Sequence, residues 1–491
     1  MTSPRAFLAV ASVVALCATS LGTASSAAAS AAAANTGPST TTAPYILPVA
    51  PGVTTTSILT VGDAADNGYV MAGIPDGLGA YDNGDGTFTV LMNHELGSDK
   101  GVLRSHGAIG AFVSTWTIDK ATLRVTKGED LIQRLMVATG SGYAQASGPA
   151  AQINRLCSAD LPEAAAFYRA VNGFGTTSRI FMSGEEGGTE GRAFAHFATG
   201  PQAGTSYELP ALGKAAWENL LASPYSKNKT VTIGLDDGQG GQVYVYVGKK
   251  AKKGAELERA GLTGGTLYGI KVAGLGKEVD ASTVAPGTRF SLVPIPGAAS
   301  MSGAQLDATS NALGITNFAR PEDGAWSKTS STEFSFATTA TITGVSRVWH
   351  LRFDDAVDVE TGGTIGINVA GPLGSGALGA PGPRMLDNLT TTSDGRLILQ
   401  EDPGNQDYIA GVWMARQSMT PVAPTKLMTF DPAHFTPGLP GFITKDEESS
   451  GVIPLPFLGT DVYLLDAQVH KATGSPQTVE MGQLIIARIP D

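Results

Sequence analysis

The chain has 491 residues, with 33 Lys and Arg against 44 Asp and Glu, a formal charge of −11, and only 16% of residues charged. A pI near 5.1 excludes the basic footprint of a general nucleic-acid binder. A hydrophobic fraction of 42% excludes a disordered chain and supports a sizeable core, and two cysteines exclude a disulfide scaffold.

In chain order, the first element is a targeting segment. Arg5 precedes an apolar run from Ala6 to Leu16, followed by Ser, Thr and Ala up to Ala34. This is the order of a secretory signal with its small-residue cleavage zone, so residues 1–34 are expected to be removed and the protein secreted. The apolar run is short of the ~20 residues a membrane span needs. Cleavage takes away Cys17 and leaves Cys157 as a lone thiol, to be buried, paired between chains or metal-bound.

Residues 35–491 are expected to form a single domain. Short apolar runs rich in β-branched and aromatic residues are bounded by Gly, Asp, Asn and Pro. They predict strands at Thr87–Met92, Arg179–Met182, Gln242–Val247, Thr332–Phe336, Ser346–Leu351, Arg396–Leu399 and Asp461–Leu465. Asp82-Asn83-Gly84-Asp85-Gly86 reads as an Asx-rich hairpin turn, because it lacks the twelfth-position Glu of a calcium loop. Ala, Leu and Glu content predicts helices at Leu161–Val171 and Leu209–Leu221. An irregular repeat runs through the strands. A turn leads into an apolar strand that ends in Asn93-His94-Glu95, Glu185-Glu186, Glu401-Asp402, or Asp466, Gln468 and His470. Such a repeat fits an all-β propeller with insertions, whose strands end around one axial channel.

Acidic pairs stand out in a chain poor in charge: Glu185-Glu186, Asp236-Asp237, Glu322-Asp323, Asp354-Asp355, Glu401-Asp402 and Asp446-Glu447-Glu448. Taken singly, each also fits a solvated turn. Two carboxylates ~4 Å apart at an effective dielectric near 20 repel by about 4 kcal/mol, so a convergent set needs cations or protons. Oxygen donors suit Ca²⁺, and a thiolate among them favours a transition metal. No G-x-S-x-G elbow, G-K-[ST] loop or H-E-x-x-H helix is present.

Read together and in order, Met92-Asn93-His94-Glu95, Arg155-Leu156-Cys157-Ser158, Ser183-Gly184-Glu185-Glu186 and Arg320-Pro321-Glu322-Asp323-Gly324 resemble the PhoX family of bacterial alkaline phosphatases. Asp446 to Ile453, Leu464 to His470 and Val479 to Leu484 continue the likeness. The resemblance implies a six-bladed β-propeller with inserted loops and a few short helices. It implies a monomeric enzyme hydrolysing small phosphate monoesters at an axial site with Fe³⁺ and Ca²⁺, without nucleic-acid or membrane partners. It makes Cys157 an iron ligand and Arg320 the phosphate-holding residue, the two catalytic candidates. Glu95, Glu185, Glu186, Glu322, Glu448, Asp236 and Asp237 join Cys157 as metal ligands. The chain departs from the family in lacking an Arg-Arg signal and in the stretch Arg179 to Gly184. A calcium-dependent propeller hydrolase of another type, lactonase or phytase-like, and a non-catalytic calcium-binding secreted propeller are the alternative readings.

Overall fold

In the computed structural model, residues 1–2, 34–371 and 382–490 are described. The expected signal segment falls almost wholly outside them. The described chain is all-β with few helices. Each of the seven predicted strands is present, most of them extended by one or more residues, as with Thr87–His94, Ile180–Glu185 and Val462–Ala472. The Asx-rich segment is the turn joining Pro75–Asp82 to Thr87–His94, where Asp82 Oδ1 accepts from Gly84 N at 2.8 Å.

The two predicted helices are absent. Residues 164–166 and 210–212 make single 3₁₀ turns, and Trp217–Ala222 is a strand with every residue buried. A strand covered on both faces shows no alternation, so its apolar residues mimic a buried helix. Pro210 opens the second of these turns, and Gly213, at φ +81°, ends it. The longest helix among the described residues, Gly303–Leu313, carries the signals the others lack. Ser302 caps Gln305 N, Gln305 reaches back to Ser302 N, and Gly314 closes it in the left-handed region.

Six sets of mostly antiparallel strands follow one another. Their first strands are Pro75–Asp82, Leu156–Asp160, Trp217–Ala222, Pro321–Trp326, Leu386–Thr391 and Glu447–Pro454. Each pairs with the next strand of its own set, and the third and fourth sets merge edge to edge into one nine-stranded sheet. The first strands pack against one another in chain order and the sixth packs on the first, so they surround a common axis. The last set is completed by the N-terminal strand Thr54–Thr60, which pairs with Glu480–Arg488 and ties the chain ends together. The ring is tight. A Cβ on Gly77 would lie 2.4 Å from Ala159 N, so only glycine lets the first two inner strands meet. Apolar clusters fill the spaces between sets, with Trp116, Trp217 and Trp349 fully buried.

Candidate metal centre

The second residue of each inner strand is a metal-ligating type: Asp76, Cys157, Glu218, Glu322, Asp387 and Glu448. In five of the six strands the pairing slips between this residue's neighbours, as between Pro75 and Leu78 or Leu156 and Ala159. Such bulges bend a strand and re-aim its side chains.

A second ring comes from the partner strands. In every set the carbonyl two residues before the inner-strand donor accepts a backbone N–H from beyond the neighbouring strand or near its end. The donors are Glu95, Glu186, Asp237, Thr339, Asp402 and His470, bonded to Ile74, Arg155, Ala216, Arg320, Met385 and Asp446 at 2.8–3.1 Å. Each set therefore presents two side chains at one mouth from equivalent positions. Only Thr339 among these twelve is not a carboxylate, thiol or imidazole. Three of the accepting residues, Arg155, Arg320 and Met385, have positive φ of 51°, 63° and 43°. Non-glycine residues rarely adopt this region, and such strain is held at functional sites.

Within these rings three overlapping groups form: Asp76, Glu95 and Cys157; Cys157, Glu186 and Glu218; Glu218, Glu322 and Asp387. In each group the ligand atoms lie within 4.8 Å of one another. Cys157 Sγ donates to Asp76 Oδ2 at 3.1 Å, and Gln468 Nε2 donates to Asp76 Oδ2 and Glu95 Oε2 at 2.8 and 3.1 Å. Burial first, and neighbouring carboxylates second, push Asp76 and Asp387 well above the usual carboxylate range and raise the Cys157 thiol. Glu186 and Glu322 rise for the same reasons, although Arg155 and Arg320 oppose the shift. Burial lifts Glu218 to about 8 and Asp402 to about 7.

The residues fit cations. Both oxygens of Asp466 and Gln468 Oε1 are buried without a hydrogen-bond partner among the described residues, and Glu322 Oε1 has only its ion pair with Arg320. A bound cation supplies what such oxygens lack, at a cost several carboxylates can offset. The Cys157 thiol adds one soft donor to an oxygen set.

Two arginines edge the cluster. Arg155 bridges Glu95 and Glu186, with Nε 2.9 Å and Nη2 2.6 Å from Glu186 Oε2. Arg320 grips Asp237 through Nε and Nη2 at 2.7 and 2.8 Å, and Nη2 stands 3.3 Å from Glu322. Among the described residues neither Nη1 has a protein partner, and both side chains reach solvent.

Of the residues singled out from the sequence, the structure brings together Cys157, Glu95, Glu186, Glu322, Asp237 and Arg320. Glu448 joins them from the sixth strand, with Oε1 3.3 Å from Gln468 and Oε2 3.9 Å from His470. Glu185 and Asp236 are placed elsewhere. Glu185 is clamped by Arg192, whose Nε and Nη2 each lie 2.7 Å from its oxygens. Asp236 caps the backbone N–H groups of Ala216 and Gly238 at 3.2 and 3.1 Å. Adjacent residues of a strand point to opposite faces, so only one acid of each pair faces the axis. Asp76, Glu218 and Asp387 were missed because each is a single acid among apolar or small neighbours. The signal that finds them is an acid or thiol followed 15 to 29 residues later by an equivalent acid or His.

No protein-family model and no curated protein matches the sequence. Among solved structures, the chain is similar to Pseudomonas fluorescens PhoX in complex with vanadate. The TM-score is 0.64 and the identity 13%, over 89% of this chain and 95% of that one. An α-L-arabinofuranosidase from Fusarium graminearum (TM-score 0.42, identity 9%, 87% and 96% covered) and the periplasmic gluconolactonase of Pseudomonas aeruginosa (0.35, 12%, 86% and 87%) are more distant. The first likeness is one of fold.

Proposed function

We propose that the protein is a secreted, metal-dependent hydrolase of phosphate monoesters, built as a six-bladed β-propeller spanning residues 35–491. The observation that carries this reading is the double ring of donors beside two arginines with unengaged Nη1 groups. The fold likeness to a phosphatase crystallised with vanadate, described there as a transition-state analogue, supports it.

Asp76, Glu95, Cys157, Glu186, Glu218, Glu322 and Asp387 would hold Ca²⁺ and Fe³⁺. When bound, the cations supply the positive charge that phosphoryl transfer requires. The remaining steps belong to the chain. Arg155 and Arg320 are held in fixed planes by Glu186 and Asp237, and each offers its open edge to phosphate oxygens. That fixed orientation lowers the entropy cost of binding. An acidic protein repels a phosphate ester at long range, so attraction arises only at the arginines and the loaded centre.

The test combines elemental analysis of exported protein with hydrolysis of a chromogenic phosphate monoester, with and without chelator. Stoichiometric iron and calcium with chelator-sensitive turnover is the expected result. Arg320→Ala should lower kcat/KM by about a hundredfold, as for loss of an anion-stabilising donor. Calcium without iron or phosphatase turnover would overturn the reading.

A further inference from the structure

The end of the axis away from the donor rings holds a cavity of about 530 Å³. It is walled by residues of the inner strands beyond their donor positions, including Leu78, Asp160, Leu221, Trp326, Leu389 and Ile453. A polar floor separates it from the donor rings. The third residues of opposite inner strands meet there, Ser158 Oγ standing 3.2 Å from Asn388 Oδ1. Beside them Asn219 Nδ2 donates to Asp323 Oδ1 at 2.6 Å. The axis is therefore two sites back to back.

The cavity's polar handles are unequal. Asp323 is satisfied by Asn219 and by the N–H groups of Gly324 and Leu389 at 2.6 and 3.2 Å. Tyr225 and Trp326 spend their donors on Ser327 O and Leu221 O, so they offer only ring surface to a ligand. At the rim, Lys328 pairs with Glu163 at 3.0 Å and Asp82 with Lys120 at 2.7 Å. Asp160 differs. Its Oδ2 accepts one bond, from Ala222 N at 3.1 Å, and its Oδ1 has no protein partner among the described residues. Charged lining residues comprise four acids, Asp82, Asp160, Glu163 and Asp323, against Arg179 and Lys328. One wall already binds a cation by its face: the Arg179 guanidinium lies 4.9 Å from the Tyr81 ring centre.

We propose that this second cavity is a binding site for a small organic cation, an ammonium group on an apolar body, with Asp160 Oδ1 as its anchor. Aromatic walls and a single unspent carboxylate are the recognition chemistry of such ligands. The volume lies within the range of small-molecule sites. The floor touches the donor rings through Ser158 Oγ, 2.6 Å from Glu218 Oε1, but the anchor Asp160 is bonded only to Ala222 N among the described residues, so the inference does not rest on the phosphatase reading.

The probe is phenethylammonium, compared by calorimetry with the neutral 3-phenylpropanol and the anionic 3-phenylpropionate. The cation should bind at least about tenfold more tightly than the alcohol, as a charge-assisted bond predicts, and the anion most weakly. Asp160→Asn should erase the cation's advantage and leave the alcohol unchanged. Ala325→Leu, which fills the cavity, should abolish binding of both. Wild-type protein treated with chelator should bind the cation as before, which separates this site from the metal centre. Equal affinities for cation and alcohol, or no heat from any probe up to about 10 mM, would sink the proposal. Full cation affinity in Asp160→Asn would do the same.

Discussion

Glu218, like Cys157, is shared by two of the three groups, and its neutralisation gives the sharpest test. Ligand atoms of Glu218, Glu322 and Asp387 lie within 4.8 Å of one another. If all three were ionised, each pair would repel by about 3.5 kcal/mol at an effective dielectric of 20. The site avoids this by holding protons, and burial raises Glu218 from 4.5 to about 8. A carboxyl whose folded pKa is raised keeps its proton after the unfolded chain has lost it. Stability in chelator therefore falls as pH rises, between about 4.5 and 8. From pH 6.5 to 8 the one proton on Glu218 accounts for about 2 kcal/mol. Glu218→Gln removes that titration. Urea unfolding at pH 6.5 and 8 in chelator should show a flatter pH slope for the variant by about that amount. With saturating Ca²⁺ the order reverses: wild type gains more stability than the variant, and gains it chiefly at pH 8, where cations no longer compete with protons. Identical slopes for the two proteins in chelator would refute the reasoning.

Three further outcomes follow from the same geometry. Cys157→Ala should lose bound transition metal and most turnover; retention of both would remove the thiolate from the centre. Glu185→Gln and Glu186→Gln should separate cleanly. The first strands the mostly buried Arg192 and costs about 3 kcal/mol of stability with metal content intact, whereas the second alters metal content in an inductively coupled plasma measurement. Burial depresses His196 to about 3, with its ring held neutral between Ser183 and Ser206 at 2.8 and 2.6 Å. Below pH 6.5 the unfolded chain takes up a proton that the folded histidine refuses, so stability falls toward pH 3 by up to about 1.4 kcal/mol per pH unit. His196→Gln should flatten that acid limb in urea titrations.

The fold class was legible because the second and third strands of each set carry β-branched and aromatic runs bounded by turn residues. Thr87–His94 and Val243–Lys249 are typical. The inner strands were not. Glu322-Asp323 fits a solvated turn, Trp217 to Leu221 falls in a predicted helix, and Pro75-Asp76-Gly77 carries no strand signal. Their conformation is imposed by neighbours on both sides of the ring, and a register slip beside the donor lets an acid stand where local preference asks for a turn.

By itself, then, the sequence determined that acidic groups recur at the ends of strands in a charge-poor chain, and that one thiol, Cys157, remains once the signal segment is set aside. It could mark Glu185-Glu186 and Asp236-Asp237 as pairs but not choose within them. Tertiary structure made that choice through one repeated backbone hydrogen bond, which sets Glu95, Glu186, Asp237 and Asp402 at equivalent places. It also joined Asp76 to Gln468, nearly the whole chain apart, at 2.8 Å. Contacts between residues so distant in sequence leave no local pattern, because they exist only once six sets of strands close around one axis.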